Sequence, residues 1–169
     1  MNFENIEKEL KSLFGEDIRE IFVNFDNLTV VIKKEKTYDI VKFLKENFEF
    51  NFLMDLFGID FLNYPSRKYK ERFEVVYNLY SLKNNLRIII KAPVDENNPF
   101  INSIVSLYDS ANWYEREVYD MYGIVFENHP DLRRILMYDE FVGYPLRKDY
   151  PLKKRQPRIS YREIDNGNN

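Results

Sequence analysis

The sequence predicts an α+β fold: helices packed on one face of a mostly antiparallel sheet, followed by an extended C-terminal arm. Three observations carry this. Runs with apolar residues at helical spacing alternate with runs rich in β-branched and aromatic residues. The β-rich runs come in pairs joined by short polar turns, the pattern of hairpins. Beyond Gly123 no period survives, and prolines at 145, 151 and 157 keep the chain from coiling into a helix.

Phe3, Ile6, Leu10, Leu13 and Phe14 recur at helical spacing with Gly15 as a stop, which predicts an amphipathic helix over residues 2–14. Residues 18–25 and 28–33 read as strands joined at Asp26-Asn27. Thr37 is the expected cap of a second helix to about residue 47, with Ile40, Val41, Leu44 and Phe48 on its buried side. Phe50, Phe52, Met54 and Leu56 alternate with Asn51, Leu53 and Asp55, a strand with one face more buried; Gly58 marks a bulge or a close backbone approach. After a polar loop, residues 73–82 and 86–91 form a second hairpin, and Pro93 ends the sheet region. Residues 101–122 read as helical, with a break near Asp109-Ser110. The chain thus divides into an α+β body, residues 1–123, and an interaction arm, residues 124–169, frayed over its last five residues.

In the last helix, Ser110 or Asp109 can cap the start and Gly123 can close the end in a left-handed conformation. Ala111, Tyr114, Val118, Met121 and Tyr122 gather on one face; Trp113, Arg116, Glu117 and Asp120 fall on the other, with Arg116 and Asp120 one turn apart and able to pair. A tryptophan normally lies core-side, so Trp113 needs a cover, either the tail of this chain or another protein.

Composition excludes several classes of chemistry. The chain has 169 residues, enough for one domain with a real core, and its 44% hydrophobic and 17% aromatic content argues against disorder. No run approaches the roughly 20 apolar residues that span a bilayer. The acidic start, MNFENIEKEL, does not resemble a signal peptide, so the expected location is the cytoplasm or a cytoplasm-facing complex. With no cysteine and one histidine, the chain cannot form a disulfide, a thiolate nucleophile, an all-cysteine zinc site or its own iron–sulfur cluster. None of the five glycines builds a phosphate-cradling loop. Net charge is −3, yet between Arg147 and Arg162 seven basic residues face one Asp, which suits an acidic surface.

Candidate catalytic residues reduce to structural ones. His129 lacks a nucleophile and an orienting group nearby, which favours a loop histidine bonded to a carbonyl or carboxylate. Glu115 and Glu117 point to different sides of the helix and cannot share a proton; with Asp120 they suit a salt-bridge network to Arg116, Arg133 or Arg134. Lys153-Lys154-Arg155 with Tyr150 and Tyr161 could stack and bind RNA, but the rest of the surface is acidic.

One stretch has a longer signature. Glu115-Arg116-Glu117, two residues, Asp120-Met121-Tyr122, six residues, His129, three residues, and Arg133-Arg134-Ile135-Leu136 resembles the C subunit of the respiratory NADH:quinone oxidoreductase, complex I. Residues 144–151, YPLRKDYP, are similar to the closing segment of that family, and residues 55–60 and 72–77 also look like it. Tyr144 departs from the pattern, standing where the family has a histidine, so no imidazole role carries over there. The resemblance implies a non-catalytic subunit of the hydrophilic arm of a proton-translocating enzyme. It would hold no cofactor and dock on the D subunit near the iron–sulfur subunits, while its partners carry the iron–sulfur clusters, flavin and quinone. It would sit on the cytoplasmic side of the cell membrane, attached through the complex, with no nucleic-acid partner. The candidate interface is Trp113, Glu115, Arg116, Glu117, Asp120, His129, Arg133, Arg134, Arg147 and Lys148. Energy-converting hydrogenases and dehydrogenases with other electron donors use a similar subunit and form one alternative; a free-standing RNA-binding module is another.

Overall fold

The computed structural model describes residues 2–157. Three helices, α1 (Phe3–Phe14), α2 (Thr37–Phe48) and α3 (Ala111–Tyr122), pack with a five-stranded sheet. The strands are β1 (Ile18–Asn24), β2 (Asn27–Ile32), β3 (Phe52–Asp60), β4 (Phe73–Ser81) and β5 (Leu86–Val94), in the order β1-β2-β5-β4-β3. Within this sheet only the β2–β5 pair is parallel, so the fold is α+β on a mostly antiparallel sheet. A separate parallel pair joins β6 (Phe100–Asn102) to β7 (Val125–Glu127).

The core forms where one sheet face meets the apolar stripes of the helices. Leu28, Val30 and Ile32 of β2, Tyr77 and Leu79 of β4, and Ile88 and Ile90 of β5 meet Ile6, Leu10, Ile40 and Leu44, all buried. Burying each such side chain is worth about 1.5–3 kcal/mol.

Most elements lie where periodicity places them, and the departures have local causes. The first hairpin turns at Phe25-Asp26, both left-handed (φ 46° and 59°), one residue earlier than expected; Asn24 pairs with Asn27. A turn at Asp26-Asn27 would instead pair Phe25 with Leu28 and slide β1 along β2 by two residues, leaving each side chain on its own face. Gly15 ends α1 as expected, in a right-handed conformation that leads into a 3-10 turn. Thr37 is the first residue of α2 and not its cap; its hydroxyl donates to the Lys34 carbonyl at 2.8 Å.

The largest correction to strand phase is in β3. A bulge between Leu53 and Asp55 puts Leu53, Leu56 and Asp60 on the buried side and leaves Phe52 50% exposed. Gly58 is instead a close approach: a Cβ there would sit 2.8 Å from Cδ2 of Tyr122 on α3. Strand β5 continues through Pro93 to Val94. Pairing with β2 stops at Lys91, so the missing proline donor breaks no bond to that strand.

Residues 101–110 are not helical. Ile101 pairs with Phe126 and both are buried, so pairing with β7 overrides the local pattern and the helix begins only at Ala111. Residues 128–157 contain turns but no helix or strand. Arg158, Tyr161, Arg162 and the last five residues lie outside the described residues.

Candidate interaction surface around the third helix

Helix α3 is covered on two sides, by β3 and by the segment that follows β7, and this decides which of its side chains can meet a partner. Gly123 closes it as expected, left-handed at φ 73°, with its amide on the Tyr119 carbonyl; the Ser110 side chain makes no cap bond. The ring of Tyr144 packs so closely on Gly123 that a Cβ would meet it at 2.5 Å, and the guanidiniums of Arg134 and Arg147 lie 5.5 and 4.5 Å from that ring. Tyr144 therefore has a packing role.

Asp120 is fully buried, although it lies on the face opposite the apolar stripe. One carboxylate oxygen accepts the amides of Ile135, Leu136 and Met137 at 3.0, 2.8 and 2.8 Å, and the other accepts from Arg134 at 2.6 Å. Burial alone would raise its pKa; the three amides and the guanidinium outweigh burial and hold the carboxyl below its ordinary value. Arg134 also donates to the Gly143 carbonyl at 3.1 Å. The expected Arg116–Asp120 pair does not form: Arg116 donates to the carbonyls of Arg133 and Arg134, both at 3.1 Å, and lies 5.2 Å over the Trp113 ring.

His129 is structural, with both ring nitrogens occupied. Nδ1 accepts the Asp131 amide at 3.0 Å, which leaves the proton on Nε2, 3.2 Å from the Asn112 carbonyl. Burial and the nearby Arg116 push its pKa below the usual imidazole value. Glu115 is also fully buried, accepting the Ile104 amide at 2.8 Å, and burial pushes its pKa up to about 7.

The candidate residues thus separate. Glu115, Asp120, His129 and Arg134 act on their own chain, and Arg147 donates to the Tyr122 carbonyl at 2.7 Å. Trp113, Glu117, Arg133 and Lys148 are exposed, with Trp113 at 59%, and Arg116 is half-buried between the two groups.

A second ionic hub was not expected from the sequence. Buried Arg72 donates to both oxygens of buried Asp60 at 3.0 and 2.8 Å and to Asp149 at 2.7 Å, and it also pairs with Glu96. Asp60 accepts the Lys148 amide at 2.8 Å as well, so this hub ties the closing segment to β3 and β4. The available signal was the position of Asp60 and Arg72 at the two ends of one loop, but nothing local announces the third partner 77 residues on.

The signature from Glu115 to Leu136 is largely the set of contacts that bind this segment to α3. The family model for the respiratory-chain NADH dehydrogenase 30 Kd subunit matches residues 30–156. The chain belongs to this family. The C subunit of the NADH-quinone oxidoreductase of Geotalea uraniireducens (strain Rf4) is 46% identical over 145 residues, covering 86% of this chain and 85% of that one. A solved trypsin-resistant fragment (1-134) of Nqo5 is 38% identical with a TM-score of 0.69, covering 78% of this chain and all of the fragment. A chain of the membrane-bound sulfane sulfur reductase, an archaeal respiratory membrane complex, shares the fold at 22% identity and a TM-score of 0.66, covering 94% of this chain and 97% of that one. In this member of the 30 Kd family, no helix among the described residues is long and apolar enough to cross a membrane.

Proposed function

We propose that this chain is a non-catalytic, cofactor-free subunit of the peripheral arm of a proton-translocating NADH:quinone oxidoreductase. It docks on the D subunit, beside the iron–sulfur subunits, and holds these neighbours in register while electrons pass through them from NADH to quinone. The flavin, iron–sulfur clusters and quinone belong to the partners. The chain lies on the cytoplasmic side of the cell membrane and is attached through the complex.

Family membership supports the assembly, and the exposed Trp113 supports the docking face. The Arg116 guanidinium, fixed by two carbonyls, lies 5.2 Å from the centre of the Trp113 indole, a contact that favours the exposed rotamer by about 0.5–1 kcal/mol. Tryptophan and arginine dominate binding energy at protein interfaces, where a few preorganised anchors carry most of it. Arg133, Glu117 and Lys148 form the polar rim of this proposal. The division into a body, residues 1–123, and an arm, residues 124–169, belongs to the same reading, although residues 125–149 of that arm are seated on the body by β7 and by the contacts of Arg134, Lys148 and Asp149.

Native purification of the tagged full chain, followed by mass spectrometry of the co-purifying polypeptides, tests the reading. The expected result is stoichiometric recovery with flavin- and iron–sulfur-bearing subunits. A monomeric chain with salt-sensitive RNA affinity overturns it.

A further inference from the structure

Among the described residues the sheet ends on β3, whose outer edge has no strand beside it. In an antiparallel pair, alternate residues turn their amide and carbonyl away from the neighbour. Among the described residues, the backbone of residues 55–59 bonds to nothing across that edge. Proteins usually protect such an edge with lysine, proline or a bulge. Residues 55–59 contain no lysine or proline, the bulge ends before them, and their one charge is Asp55 at the start. The opposite edge, β1, carries Arg19 and Glu20 and has its own bulge between Ile18 and Glu20.

A groove of about 250 Å³ is lined by Leu56, Phe57 and Gly58. Successive strand residues point to opposite faces, so a groove touching all three runs along the edge itself. Its far wall is Glu117, Val118 and Tyr122 of α3, with Leu146 of the closing segment. Phe57 and Leu146 are 40% and 50% exposed. The space is below the roughly 300 Å³ at which small-molecule pockets begin, so it suits a side chain and not a cofactor. At its rim Glu117 is exposed and enters no ion pair among the described residues.

We propose that the β3 edge accepts an extended segment of a neighbouring subunit as a sixth strand, with an apolar side chain of that segment in the groove and a lysine or arginine on Glu117. Backbone pairing along 55–59 supplies the affinity, and the groove and carboxylate select the sequence. This rests on the subunit reading above and adds a contact separate from Trp113.

The test places the photo-crosslinker p-benzoylphenylalanine at Phe57 of the full chain in the native complex and compares amide exchange of residues 55–59 in the free and assembled chain. The expected crosslink is to one peptide of another subunit, with Lys or Arg within a few residues of an apolar side chain. Alternate amides of residues 55–59 slow by about 100-fold or more on assembly. A crosslink only to a second copy of this chain, a peptide lacking that chemistry, or unchanged exchange in an assembled complex overturns the edge proposal alone. A chain that never assembles overturns both it and the subunit reading.

Discussion

Glu115 reaches from α3 to the chain leaving β6, where one oxygen accepts the Ile104 amide while the other has no partner; the buried Tyr77 hydroxyl is likewise unpaired. Burial, only partly offset by bonds to Ser103 and Ile104, raises its carboxyl from 4.5 to about 7. The folded state therefore holds this proton more tightly than the unfolded chain does. Its contribution is complete below pH 4.5, declines as pH rises to about 7 and is constant above that, a loss of about 3 kcal/mol. Glu115→Gln keeps the acceptor for Ile104 but never ionises. Urea unfolding should find the variant close to wild type at pH 5 and more stable by up to about 3 kcal/mol at pH 8. Equal stability at both pH values would contradict this assignment. The burial of Glu115 and Asp120 was not legible from the sequence because a helical wheel assumes one covered face. Here the loop carrying Ile135, Leu136 and Met137 covers a second face and uses Asp120 as its anchor. His129 was legible in part: the absence of a nucleophile favoured the structural use that its bonds to Asp131 and Asn112 show, while its place among the candidate interface residues had no such support.

At the scale of elements, the contact that fixes the geometry is α3 crossing β3 at Gly58. Gly58→Ala forces a Cβ to 2.8 Å from Tyr122 Cδ2 and 3.3 Å from Val118 Cγ1, so either ring or strand must move. The expected cost is about 1–3 kcal/mol, read as a lower thermal midpoint, with partial recovery when Tyr122→Leu is added. If Gly58→Ala alone melts like wild type, α3 does not lie this close. Long periodic elements such as α1 and α2 were legible because one buried face dictates their spacing. Strand β3 was misread at its phase because a bulge adds a residue without changing composition. Strand β6 was missed because its reason for being a strand, pairing with β7, lies 25 residues away in sequence.

At the scale of the whole molecule, two ionic hubs, Asp120–Arg134 and Asp60–Arg72–Asp149, clamp the closing segment to the body, while the indole of Trp113 is 59% exposed among the described residues. Family and fold class were legible because the signature combines spacing, charge and turn residues that periodicity alone does not produce. Which charges stay free for the proposed docking face was not legible, since Asp120, Arg134 and Arg147 bond within the chain. This also determines which variant is informative: Arg134→Ala would strip a buried carboxylate of its partner at a typical cost of about 3–5 kcal/mol and confuse unfolding with lost docking. Trp113→Ala with Arg133→Ala removes exposed groups instead. The decisive measurement is the amount of intact complex recovered with this double variant relative to wild type, at equal chain level and equal thermal midpoint of the free chain. Loss of an interface anchor worth about 2 kcal/mol or more predicts about 30-fold weaker association and a matching fall in recovered complex. Recovery equal to wild type would contradict the account.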